Sequence, residues 1–326
     1  MTRWLHQLGV LFTLGSAILP ATAWAQTPPF LLSWGTCGSG DGHFLGPYGM
    51  ASDRGGSVYV CDAANARIQR FTSNGVYLEQ WGSLGSGDGQ FYGPEGVAVD
   101  GSGNVYVADT YNNRIQAFTE AGAYLHQWGA EGSGSGQFQY PFALAADGAG
   151  NIYVADTYNH RIQVFTGGGA YVAEWGTYGT GDGQFAYPFG VAVDGTGNVF
   201  VSDNNNARVQ KFTSSGAHLI TWGSYGDGPT QFKNPHSLSV GRDENLYVAD
   251  TDNSRIAVFT GNGAPITRWG TNGTGLGQFA SLVGVMVDGD GNVYAADLSN
   301  CRIQKFGPLS TPAISASWGH LKHFYR

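Results

Sequence analysis

Charge is scarce in this chain. Only 12% of its 326 residues are Asp, Glu, Lys or Arg, and 16 basic against 24 acidic residues leave a net charge of −8. A chain so poor in Lys and Arg offers no broad basic face, which argues against nucleic acid or an anionic membrane surface as partner. Cysteine is nearly as rare. Cys37, Cys61 and Cys301 stand apart, with no C-x-x-C pair and no His at ligand spacing, so they build no zinc site. Beyond the first 25 residues no apolar run reaches the roughly 18 residues a membrane span needs, so none is expected in the mature chain. No window carries a helical period, and long helices are not expected. Glycine is what the chain has in quantity: its 52 copies suit many tight turns between short strands.

Residues 1–25 read as a secretory signal peptide. Arg3 supplies positive charge, Leu8 to Leu19 is a short apolar run ended by Pro20, and Ala23-Trp24-Ala25 is a small-residue cleavage site. Cleavage after Ala25 sends the mature protein to the periplasm or the cell exterior.

The rest of the chain is one unit repeated. A shift of 47 residues superposes Trp34, Trp81, Trp128, Trp175, Trp222 and Trp269 without a gap. The same shift aligns Asp62, Asp109, Asp156, Asp203, Asp250 and Asp297, and Arg67, Arg114, Arg161, Arg208, Arg255 and Arg302. A fixed period of this size marks a solenoid or a propeller. In the copy ending at Trp128, strands are expected at Gly96–Asp100, Val105–Ala108, Arg114–Phe118 and Tyr124–Trp128, with Gly, Asn and Asp in the turns between them. Four antiparallel strands in each of six copies make a six-bladed β-propeller, all-β, over residues 26–319. One such sheet cannot bury both its faces, so the blades must stack around an axis.

The pattern G-Q-F-x-x-P-x-G-V-A-V-D-x-x-G-N-V-Y-V-A-D-x-x-N-x-R-I-Q-x-F, as it stands in Gly89–Phe118, resembles the NHL repeat and recurs along essentially all of the mature chain. The resemblance implies the propeller fold. It does not single out a function, since the family includes RNA-binding propellers of tripartite-motif ubiquitin ligases, a lyase domain that processes amidated peptides, and exported bacterial proteins. The RING and B-box Cys/His framework of the ligases is missing from this sequence, so ligase activity is not implied.

Seven Trp-ended strands compete for six outer places. If Phe30–Trp34 completes the last blade, the two ends of the ring are zipped together; if Ala313–Trp318 does, the N-terminal strand is spare. Cysteine favours the first arrangement. Cys37 follows the N-terminal strand and Cys301 lies in the second turn of the last blade, so zipping puts both on one face of one blade. A Cys37–Cys301 disulfide is therefore expected, as an exported protein allows. Cys61 takes a strand position held by Ala108 elsewhere and reads as a buried free thiol. Residues 320–326 are a C-terminal tail.

The D-x-x-N-x-R motif recurs in all six copies and reads as turn chemistry, with Asn accepting a left-handed backbone and Arg bonding as a planar fork. The loop G-S-G-D-G-Q-F lacks the Lys and helix of a phosphate loop and the converging carboxylates of a calcium loop. It is a glycine-rich turn.

Function is expected where the copies disagree. Next to the axis the repeat places Tyr48, Glu95, Phe142, Phe189, His236 and Val283, which should ring the channel mouth. Tyr111 and Tyr158 in nearby turns, and Tyr92, Tyr140, Tyr178, Tyr187 and Tyr225 in nearby loops, add aromatics over blades two to four. Tyr48, Glu95, Phe142, Phe189, His236, Tyr111 and Tyr158 are the candidate ligand-binding residues. They suit an unknown protein, peptide or glycan, or else they cap the channel. The lyase and calcium-dependent lactonase propellers imply an alternative, a metal-dependent lyase or lactone hydrolase on the axis. Against it, the mouth supplies only His236 and Glu95, three blades apart, where a catalytic zinc takes three protein ligands. No catalytic residue and no cofactor are assigned, and a monomer is expected. Loops on this face carry Asp41, Asp88, Glu131, Asp182 and Asp227 against Lys233, a charge unsuited to RNA.

Overall fold

A computed structural model describes residues 27–309; the expected signal peptide, the alternative closing strand expected at 313–318 and the expected tail 320–326 lie outside the described residues. The described chain forms six four-stranded antiparallel sheets. Five blades are contiguous in sequence: Pro47–Trp81, Pro94–Trp128, Pro141–Trp175, Pro188–Trp222 and Pro235–Trp269. The sixth takes three strands from Leu282–Val287, Val293–Asp297 and Arg302–Phe306 and its outer strand from Phe30–Trp34. The N-terminal strand thus closes the ring, pairing Trp34 with Ile303 and Ser33 with Gln304. Among the described residues no helix is long and apolar enough to cross a membrane.

Burial follows strand position. In blade 2 the second strand, Val105–Asp109, and the third, Arg114–Phe118, are buried along their whole length, whereas the outer strand Tyr124–Trp128 alternates between half-buried and exposed. The middle strands lie between two neighbouring blades, and both their faces are covered. That is why Gln116, the polar residue between Ile115 and Ala117, is as buried as they are. Each inner strand starts earlier than its apolar run, at Pro in blades 1 to 5, where a missing N–H costs no ladder bond.

Tryptophan joins the blades. Trp81 of blade 1 meets Tyr59 of its own blade at 6.2 Å and Phe118 of blade 2 at 6.0 Å between ring centroids. It also covers Gly122 in the last turn of blade 2, where φ is +75° and a Cβ would stand 2.6 Å from the indole. Trp34 makes the same contacts across the seam, with Tyr294 of blade 6 and with Phe71 and Gly75 of blade 1. At the axis the inner strands come closer still: a Cβ on Gly96 would sit 2.4 Å from the Phe142 carbonyl oxygen.

The seam is also covalent. Cys37 and Cys301 form a disulfide with their Cα atoms 5.0 Å apart and 264 positions apart in sequence, and Cys61 is a buried free thiol. A cross-link over so long a loop restricts the unfolded chain strongly, and bonds of this kind contribute about 2–5 kcal/mol. The Cys37→Ser/Cys301→Ser variant should lose stability of that order in guanidinium unfolding, and reductant should lower the wild-type midpoint to match. Coincident oxidised and reduced midpoints would show that the bond carries none of the ring's stability.

Candidate functional site

The most regular residues turn out to be structural. In blade 2, Asp109 is fully buried. Its Oδ2 accepts from Arg114 Nε at 2.7 Å, Asn112 Nδ2 at 2.9 Å and Gln116 Nε2 at 3.0 Å, and its Oδ1 from the Tyr92 backbone N–H at 2.7 Å. Arg114 Nη2 in turn donates to the carbonyls of Gly87 and Gln90 at 2.8 and 2.9 Å. The motif therefore ties the glycine-rich loop to the blade edge, and the Asp–Arg pair recurs in all six blades. One detail differs from the sequence expectation. Asn112 keeps a 3₁₀ conformation and uses its amide on Asp109 and on the Gly85 carbonyl, while the left-handed residue is the next one, Asn113, with φ 54°. The equivalent left-handed residues are Ala66, His160, Ala207, Ser254 and Cys301.

The six mouth residues form the second position of each inner strand and line the upper end of a central cavity of about 280 Å³. Four are aromatic and touch one another. Phe189 stacks on His236 at 4.4 Å and meets Phe142 edge-on at 4.5 Å, and Phe142 reaches His236 at 6.3 Å and Tyr48 at 6.5 Å. Val283, fully packed, completes the ring. The rings thus cap the mouth as well as line it. Although part of His236 remains accessible from the channel, its ring is enclosed, and burial pulls its pKa down to about 4.

Glu95 is the exception in this apolar ring. It is 7% exposed, its Oε2 is buried with no hydrogen-bond partner, and no Lys or Arg lines the cavity. Loss of water with nothing in exchange raises its pKa to about 8. Its charge reaches its neighbours: it raises the Tyr111 hydroxyl more than burial does, and it adds to the burial that raises Tyr48.

Around the mouth runs an arc of tyrosines. Tyr92 meets Tyr111 at 5.1 Å, Tyr111 meets Tyr140 at 5.5 Å, Tyr140 meets Tyr158 at 4.8 Å, and Tyr158 meets Tyr187 at 5.2 Å. His160 continues it, 4.7 Å from Tyr187 and 4.9 Å from Tyr178. Tyr92, Tyr111, Tyr158 and Tyr178 expose 55, 46, 46 and 69% of their surface. Tyr225 stands apart, under Lys233. His160 was not among the candidates. It holds a turn position whose residue types vary from blade to blade, and only its ring, among those six, could have signalled stacking.

The far end of the channel has a rim of Asp residues, with Arg54 and Arg242 among them, and its carboxylates are occupied by their own turns. Asp53, Asp100, Asp147 and Asp288 each accept a Tyr hydroxyl, as Asp100 does from Tyr106 at 2.9 Å, and turn N–H groups besides. Among the described residues no three His, Cys, Asp or Glu side chains converge as a metal site requires. His236 and Glu95 are separated around the mouth by Phe142 and Phe189, so the residues present do not fit an axial metal.

Because Glu95 prefers its neutral form when folded, it binds its proton more tightly in the native than in the unfolded chain. Stability contributed by that proton is full below the unfolded pKa of 4.5 and is lost as pH rises toward 8, at a slope of up to about 1.4 kcal/mol per pH unit. Wild type should therefore weaken relative to Glu95→Gln between pH 5 and pH 8 in denaturant unfolding. Parallel stability profiles for the two proteins would refute an unpaired buried carboxyl.

The NHL repeat family matches residues 91–118, 138–165, 185–212 and 232–259, which run from the buried loop Phe to the third-strand Phe of blades 2 to 5. Blades 1 and 6 build the same unit on Phe44–Phe71 and Phe279–Phe306. No curated protein sequence matches the chain. Among solved structures, a structural genomics protein of unknown function from Bacteroides thetaiotaomicron aligns with TM-score 0.66 and 18% identity over 84% of this chain and 74% of that one. A streptogramin B lyase aligns at 0.58 and 16%, over 80% and 93% of the two chains. A chain of the nidogen/laminin complex aligns at 0.55 and 16%, over 74% and 84%. At such identities the likeness is one of fold. With its repeats matched and all six blades in place, the chain belongs to the NHL-repeat family of six-bladed β-propellers.

Proposed function

We propose that this protein is an exported binding module that holds a peptide, protein or glycan on the face carrying the tyrosine arc. The unbroken run of partly exposed rings from Tyr92 to Tyr178 supports this reading most directly. Tyrosines present broad apolar faces with a polar tip and lose little side-chain freedom on binding, which makes them effective contact residues. A contiguous apolar patch of this kind is also unusual on a surface that serves no partner. The Cys37–Cys301 bond suits an oxidising compartment, in keeping with export.

The alternative, an axial lyase or hydrolase, is supported by the streptogramin B lyase fold alone. The mouth supplies one imidazole and one carboxyl where such chemistry needs a converging set. The binding reading rests on more of the chain.

Phe142 and Phe189 are packed into the mouth, so truncating them disturbs the channel itself. Tyr158 and Tyr178 are cleaner probes. The Tyr158→Ala/Tyr178→Ala variant should lose its hits on peptide and glycan arrays, with folding stability changed by about 0.5 kcal/mol or less per site. An array profile equal to that of wild type would remove the arc from consideration.

A further inference from the structure

The channel mouth contains a group that the propeller does not need and leaves unsatisfied. Every other buried carboxylate among the described residues has its own donors: six Asp residues pair with Arg, while Asp194 and Asp288 take turn amides. Glu95 has none for Oε2, lines the cavity, and stands where the other blades place Tyr48, Phe142, Phe189, His236 and Val283. A buried carboxyl without a partner is costly to keep, so an occupant able to satisfy it gains that much on binding. Two features define the occupant. The carboxyl favours a positive or hydrogen-bond-donating group, and no Lys or Arg of the cavity lining competes for it. The surrounding rings, Tyr48, Phe142 and the nearby Tyr111, present π-electron density that attracts an organic cation and offers nothing to an anion.

We infer that the channel mouth is a binding site for an alkylammonium group, held by the Glu95 carboxylate among the rings of Tyr48, Tyr111 and Phe142. The inference rests on the reading of this face as a binding surface and names the chemistry that its centre accepts. The cavity of about 280 Å³ lies just below the roughly 300–1,000 Å³ of ligand pockets. It fits the head of a ligand whose remainder lies across the tyrosine arc.

The pairing has a pH signature. Binding a cation requires Glu95 to ionise, so below pH 8 each ligand bound expels a proton and affinity rises about tenfold per pH unit. The groups on the elements packed around Glu95 are Tyr48, Tyr59, Cys61, Asp62, Tyr106, Asp109 and Tyr111, with His236 across the mouth. The four tyrosines and the thiol are shifted upward and His236 downward, away from the interval between pH 6 and 8, while Asp62 and Asp109 are ion-paired with Arg67 and Arg114. Glu95 is the group that titrates there.

The test is isothermal titration of the intact protein with choline chloride, with Nα-acetyl-lysine methylamide, and with 3,3-dimethylbutan-1-ol, the uncharged isostere of choline. At least one cation should bind at pH 8, the neutral isostere should bind at least tenfold more weakly, and affinity should fall about tenfold from pH 7.5 to 6.5 with proton release. Preference for choline assigns the site to quaternary ammonium groups, and preference for the lysine amide assigns it to primary amines. Glu95→Gln should lose cation binding at pH 8 while keeping its fold by circular dichroism. Heat of binding for neither cation, equal binding of the isostere, or undiminished binding by Glu95→Gln overturns the inference. Tyr158→Ala/Tyr178→Ala distinguishes the two readings: it leaves the small-cation titration intact, so array results judge the arc and choline judges the mouth.

Discussion

The buried Asp–Arg pair in each blade is the constraint on which the rest of the propeller depends. A carboxylate removed from water is tolerated only when its lone pairs are filled, and Asp109 fills them with four donors from three parts of the blade. Satisfying that one group sets the loop before the inner strand, the 3₁₀ turn and the third strand in fixed positions. Arg114 carries the constraint outward to the glycine-rich loop through two carbonyls. Repeated six times, this fixes where every inner strand enters the channel. The mouth residues owe their ring to a network that none of them joins.

Much of this was legible in the sequence because it is periodic. The 47-residue register placed the Trp, Asp and Arg columns and, through Cys37 and Cys301, the strand that closes the ring. Departures from alternation were harder to read. Alternation puts Gln116 on the face opposite Ile115 and Ala117, yet its two amide ends are bound to Gly89 and Gln90 inside the wall between blades. The left-handed residue was assigned to Asn112 by type, while the chain places it at a position that accepts Ala, Asn, His, Ser and Cys alike. There the tertiary network overrides the residue preference.

The candidate site divides in the same way. Its six mouth positions follow from the repeat, and so does the crowding of tyrosines over three blades. The order in which the rings touch does not, because it depends on side chains that cross from blade to blade: Tyr111 of blade 2 packs edge-on against Tyr140 at the entrance to blade 3. Nor could the sequence say that Tyr48 and Phe142 approach each other at the mouth, or that Glu95 Oε2 is buried there without a partner. The sequence names Glu95 as a candidate ligand residue from its position in the ring, but its burial comes only from its surroundings.

Closing the ring with the N-terminal strand also orders events in time. Blades 1 to 5 can each assemble from a local stretch of chain as it emerges, but blade 6 takes its outer strand from Phe30–Trp34 at the other end of the described residues. That strand must wait, unpaired, until Arg302–Phe306 arrives some 270 residues later. Until then the growing chain exposes two raw sheet edges, which invite pairing with other chains. The finished ring has no first or last blade, and loss of either Phe30–Trp34 or Arg302–Phe306 would open it at the same seam.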